Sequence, residues 1–87
     1  MITRQIEIQN TVGLHARPAT FFTQKANSFV SSIWIEKSDK RANAKSLLGV
    51  LSLGIIKGDT ITLLADGDDE QAAVDGLADL IMTGFND

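Results

Sequence analysis

The chain has no cysteine and no tyrosine, and it holds one histidine, one proline and one tryptophan among 87 residues. Without thiols it can form neither a disulfide nor a thiolate metal site, and a single imidazole cannot build a usual zinc site. No metal and no cofactor are therefore expected. No GxSxG and no paired-carboxylate signature accompanies the histidine, so an independent hydrolase is poorly supported. Apolar runs stay well short of the ~20 residues that cross a bilayer, and no direct membrane insertion is expected. The opening Met1-Ile2-Thr3-Arg4 reads as a strand and not as a cleavable signal, and together with the missing cysteine this points to the cytoplasm. With 44% apolar and 22% charged residues the composition is that of one ordinary folded domain, spanning residues 1–87.

What charge there is lies unevenly. Residues 10–57 carry seven bases (Arg17, Lys25, Lys37, Lys40, Arg41, Lys45, Lys57) against two acids, Glu36 and Asp39, whereas residues 58–87 carry eight acids and no base. The basic half suits an acidic protein partner or a small anion. Direct binding of nucleic acid is not expected, because it calls for a denser basic surface with stacking aromatics. The aromatic side chains here, Phe21, Phe22, Phe29, Trp34 and Phe85, fall mostly at core spacing.

Periodicity orders the chain as βαββαβα. Ile2, Ile6 and Ile8 alternate with Thr3, Gln5 and Glu7 as a half-buried strand, and Asn10 to Gly13 turns the chain. From Ala16, the residues Ala19, Phe22, Ala26 and Phe29 mark one helical face, with Thr23, Gln24, Lys25 and Asn27 on the other. Ile33 and Ile35 begin a hairpin that returns near Arg41-Ala42-Asn43. A short helix follows Ser46 and stops at Gly54, by a favourable N-cap and a C-terminal glycine. Ile61, Leu63 and Ala65 alternate in a fourth strand, and Asp68-Asp69-Glu70-Gln71 resembles a capping box ahead of a last helix with Val74, Leu77, Ala78 and Ile81 inward. This order predicts an α+β domain, helices on one face of a mainly antiparallel sheet.

The sole histidine and the sole proline sit together in Gly13-Leu14-His15-Ala16-Arg17-Pro18-Ala19-Thr20, at the junction of strand and helix. A helix start offers N–H groups without intrahelical acceptors and the positive end of the macrodipole, so an anion on His15 would meet donors already in place. Pro18 in the first turn breaks no ladder bond, which leaves chiefly the Ala16 and Arg17 amides. Arg17 adds a guanidinium suited to phosphate oxygens. The reading is a carried phosphoryl group; the alternative is an imidazole that only caps the helix or rests half-buried.

Two further features stand out in the short helix. At ~100° per residue, Leu47, Leu48 and Leu51 share one arc and Val50 and Leu53 another. Only one broad stripe fits against so small a core, so Val50 and Leu53 are assigned inward and the other three are left at least partly exposed as a partner surface, unless a loop covers them or the helix is buried all round. Ser46 serves as an N-cap, and a phosphate on it would also be stabilised by the helix dipole and Lys45 while adding negative charge beside the leucines.

The Gly13–Thr20 segment, the helix Lys45-Ser46-Leu47-Leu48-Gly49-Val50-Leu51-Ser52-Leu53-Gly54 and the βαββαβα order together resemble the histidine-containing phosphocarrier (HPr) family of the bacterial sugar phosphotransferase system, over essentially the whole chain. The resemblance implies an open-faced β-sandwich of four strands and three helices. It implies that His15 accepts a phosphoryl group on Nδ1 from enzyme I, itself charged by phosphoenolpyruvate, and passes it to A-type domains of enzymes II, with Arg17 and the Ala16 and Arg17 amides supporting the phosphate. It implies a carrier without turnover of its own, and a partner surface of Thr20, Lys45, Leu47, Leu48 and Leu51. The Lys45-Ser46 helix looks like the low-GC Gram-positive version, in which Ser46 is phosphorylated by a kinase/phosphorylase and the product binds a catabolite repressor. Asn43-Ala44-Lys45-Ser46 is also similar to the catabolite-repression paralogue, which suggests a regulatory interaction module as the alternative; that paralogue typically lacks the histidine, so His15 argues for a working carrier. Val12 stands where a small polar residue is common, and Leu48 and Leu51 replace frequent methionines, keeping hydrophobicity but losing adaptability.

Overall fold

The computed structural model describes residues 1–9 and 13–83. Its elements follow the expected order: β1 (Ile2–Glu7), α1 (Ala16–Asn27), β2 (Ser32–Lys37), β3 (Lys40–Asn43), α2 (Leu47–Ser52), β4 (Thr60–Asp66) and α3 (Glu70–Met82). The strands form one sheet in the order β1-β4-β2-β3, with every neighbouring pair antiparallel. Alternation explains the layering. Ile6 of β1, Ile33 and Ile35 of β2, and Ile61, Leu63 and Ala65 of β4 turn their side chains to the helices and are buried. Opposite them lie Ala19, Phe22 and Ala26 of α1, Val50 of α2, and Ala73, Val74, Leu77, Ala78 and Ile81 of α3. Among the described residues no helix is long and apolar enough to cross a membrane.

Details depart from the simple alternation where neighbouring elements intervene. Arg4 shares the inward parity of Ile2 and Ile6, yet it lies on an edge strand and reaches α3, where Asp75 is 3.7 Å away. Leu64, on the open face, is only 6% exposed because Thr3 and Trp34 flank it in the register. Thr23 was expected on the polar face of α1 but is buried, its hydroxyl donating to the Thr20 carbonyl at 3.1 Å. Phe29 lies two residues past α1 and packs on the core from the following loop.

The capping box at the head of α3 takes a different form from the one expected. Asp69 is the N-cap but makes no side-chain cap bond. Its carboxylate instead crosses to the loop after α1, accepting the Val30 and Ser31 N–H groups at 2.9 Å each and the Ser31 hydroxyl. Glu70 accepts the Gly67 N–H at 3.2 Å and lies 3.3 Å from the N-terminal amine. Two chain segments meet closely here: a Cβ on Gly67 would stand 2.7 Å from the Ser31 Cα. That approach brings Ser31 within reach of Asp69 and draws the carboxylate off its own helix.

Candidate functional site

His15 is the N-cap of α1, with extended backbone (φ −78°, ψ −171°) and an exposed side chain that makes no cap hydrogen bond. Its carbonyl accepts the Ala19 N–H at 2.8 Å, which starts the helix through the backbone alone. With Pro18 contributing no donor, the Ala16 and Arg17 amides are the first-turn N–H groups left to face an anion. Among the described residues Arg17 pairs with no carboxylate; its guanidinium rests 5.8 Å from the centre of the Phe21 ring, one helical turn on. Helix-start donors, a cation without an anion and an accessible imidazole nitrogen therefore occupy adjacent residues.

The turn ahead of His15 is held from beneath. Gly13 adopts φ +59°, and a Cβ there would come within 2.5 Å of the Ile55 carbonyl oxygen. The same oxygen accepts the Leu14 N–H at 3.0 Å, while the Leu14 and Ile55 side chains are both buried. His15 thus projects from a turn fastened at its neighbour to the loop that follows α2.

At the other end of α1, Asn27 donates to the Lys45 carbonyl at 3.1 Å. Since the start of α2 lies beside the end of α1, and the loop after α2 lies beside its start, the two helices run antiparallel. Ser46 and His15 consequently stand toward opposite ends of the pair. Val50 and Leu53 are buried as expected, Leu48 is 80% exposed, Leu47 is exposed, and Leu51 is partly buried against the core. The expected split of the two apolar arcs holds.

A protein-family model described as the PTS HPr component phosphorylation site matches residues 2–83. The chain belongs to the HPr family. It is 51% identical over 77 residues to the HPr-like protein Crh of Halalkalibacterium halodurans, covering 88% of this chain and 92% of that one. It is 45% identical over 87 residues to the phosphocarrier protein HPr of Neisseria meningitidis serogroup B, covering 100% and 98%. The crystal structure of HPr-C-His from Thermoanaerobacter tengcongensis superposes with a TM-score of 0.97 at 49% identity, covering 100% and 98%. The open-faced arrangement of four strands and three helices is thus the HPr fold.

Within this HPr frame, Ser46 caps α2: its Oγ accepts the Gly49 N–H at 3.1 Å and its carbonyl accepts the Val50 N–H at 3.0 Å. Lys45, the side chain expected to support a phosphate on that oxygen, has a partner of its own. Its Nζ donates to the Phe29 carbonyl at 2.8 Å, where it closes the loop after α1. Thr20 turns its hydroxyl back onto the Ala16 carbonyl at 2.7 Å. Val12 lies outside the described residues.

The structure adds two apolar residues that periodicity missed. Ile56 is 54% exposed beside a fully buried Ile55, and Phe21 is exposed under Arg17. The signal for Ile56 was an adjacent Ile-Ile pair in a loop, where only one of two neighbours can turn inward.

Proposed function

We propose that this HPr-family chain carries a phosphoryl group on His15 Nδ1, received from enzyme I charged by phosphoenolpyruvate and handed to enzyme II A-type domains. The observation that carries this reading is the exposed His15 imidazole, bonded to nothing among the described residues, next to an Arg17 without a carboxylate. In the acceptor step the Nδ1 lone pair attacks phosphorus while the donor's bond to phosphorus breaks and its electron pair leaves with the donor. Transfer of this kind depends on alignment and on charge support of the equatorial oxygens. The Ala16 and Arg17 amides and the Arg17 guanidinium supply that support, and the partner supplies the rest, so the chain is a carrier with no turnover alone. Thr20, Lys45, Leu47, Leu48 and Leu51, joined by Phe21 and Ile56, make up the partner face.

Ser46 takes a second, regulatory phosphate from an ATP-dependent HPr kinase/phosphorylase, and that form binds a catabolite repressor. Similarity to an HPr-like protein Crh supports this part of the reading. The site stands toward the other end of the helix pair from His15, so its charge acts on the shared partner face and not by contact with the imidazole.

The test is phosphorus NMR after incubation with enzyme I and phosphoenolpyruvate. An acid-labile N–P signal is expected, absent in His15→Ala; normal labelling of that variant refutes the assignment. Kinase labelling with ATP is expected to be acid-stable and lost in Ser46→Ala.

A further inference from the structure

Lys37 ends β2 and lies in none of the segments that suggested phosphate chemistry, yet it reaches across to the loop between α2 and β4. Its Nζ donates to the Gly54 carbonyl at 2.8 Å and lies 2.9 Å from the Asp59 carboxylate. That same Asp59 oxygen accepts the Ile56 N–H at 2.8 Å, while the Asp59 N–H donates to the Ile56 carbonyl at 3.1 Å. One ammonium therefore ties both ends of the loop, at 54 and at 59. The far end is also fixed just past β1, where the Ile8 N–H donates to the Asp59 carbonyl at 2.8 Å.

Between the two tied ends lie Ile55 and Ile56. The Ile55 carbonyl is the acceptor for the N–H of Leu14, one residue before His15, and the surface against which Gly13 is folded. Ile56 is the exposed side chain of the same loop. The path from Lys37 to the backbone at His15 thus runs through two hydrogen bonds and the peptide links between Gly54 and Ile55 and between Leu14 and His15.

We propose that Lys37 and Asp59 form a clamp that sets the height and tilt of the His15 turn, making both positioning residues for phosphoryl transfer. The inference rests on the carrier reading given above. Each side chain is about a quarter exposed, so the pair is partly shielded from the solvent that weakens surface ion pairs. The loop has no helix or strand of its own to hold it, and loss of the clamp frees the Ile55 carbonyl to move relative to α1. Misplacement of the attacking nitrogen affects the transfer step more than encounter with the partner.

The experiment uses the full chain with enzyme I and phosphoenolpyruvate, measuring kcat and KM for this protein as acceptor, alongside hydrogen exchange of the Leu14 amide. In Lys37→Met and in Asp59→Asn, kcat is expected to fall about fivefold, the effect of losing one modest interaction in the transition state, with KM changed less than about twofold. Leu14 exchange should quicken in both, and Lys37→Arg should restore most of kcat. Transfer rates and Leu14 exchange equal to those of the parent chain would overturn the clamp, as would a slowed transfer with Leu14 exchange unaltered. Failure of the parent chain to accept phosphate would instead refute the carrier reading, and the exchange of Leu14 would still decide whether the clamp holds the turn.

Discussion

Two helix starts in this molecule use their N-cap side chains in opposite ways. Ser46 directs its Oγ onto the Gly49 N–H and so satisfies a donor of its own helix, whereas His15 leaves its side chain in solvent and lets its carbonyl alone begin α1. The difference separates structural from chemical reasons for a residue. Ser46 has a folding role whatever else is done to it, because removing its oxygen strands a helix donor. His15 has none that is visible, and its turn is held by Gly13 and Leu14 instead. A helix start whose N-cap side chain makes no cap bond, beside a guanidinium that pairs with no carboxylate among the described residues, would meet an incoming anion with its own donors.

The strongest way to break this comparison is to disturb what holds the uncapped start. Gly13→Ala would place a Cβ 2.5 Å from the Ile55 oxygen in a left-handed conformation that alanine disfavours. A loss of about 2–4 kcal/mol in urea unfolding is expected, with slower labelling of His15. Full stability in this variant would mean that the turn is not fastened as described. The third helix start sharpens the contrast through pH. The Ser31 hydroxyl first, and then the Val30 and Ser31 amides, hold the Asp69 carboxyl below the usual carboxylate range. A carboxyl lowered in the folded state contributes stability that is complete above its ordinary value of 3.8 and lost as pH falls through its lower folded value. Asp69→Asn should therefore melt lower than the parent near neutrality and converge on it in acid. Asp59 and Glu70, also held low, act alike in both proteins. Melting profiles that stay parallel down to pH 2 would rule out the cross-tie as a source of acid sensitivity.

These cases also mark what a linear reading of the chain reaches. The order of elements was legible because each rests on local signals: alternation in β4, an apolar stripe in α1, and Ser46 and Gly54 bounding α2. The exposure of Leu48 followed from a wheel with two arcs and room to bury one. The capping box read at Asp68-Asp69-Glu70-Gln71 does not form, because the partners of the Asp69 carboxylate, Val30 and Ser31, come from a segment some forty residues earlier that meets it only in the folded chain. Lys45 was read beside Ser46 on adjacency, and its bond to the Phe29 carbonyl depends on how the end of α1 meets the start of α2. Lys37 and Asp59 were invisible for the same reason, as neither sits in a motif and their meeting depends on how the α2–β4 loop returns to the sheet. Local chemistry thus points to candidate residues, while the partners that surround them are known only from tertiary approach.

The smallest effects test the comparison most directly, since they set the two N-caps side by side. Ser46→Ala removes the Oγ that accepts the Gly49 N–H, and a loss of about 1 kcal/mol is expected, read as a lower urea midpoint at unchanged slope. His15→Ala removes an exposed ring with no cap bond, so its midpoint should move by less than about 0.5 kcal/mol even though labelling by enzyme I disappears. Alanine suits an N-cap poorly, but so does an imidazole that makes no cap bond, and in both cases the backbone bond from Ala19 to the carbonyl of residue 15 remains. A loss in His15→Ala that matched or exceeded the loss in Ser46→Ala would show the imidazole holding the turn together. The free donors at the start of α1 would then be a by-product of packing, and the phosphate site would have to be sought elsewhere on the basic half of the molecule.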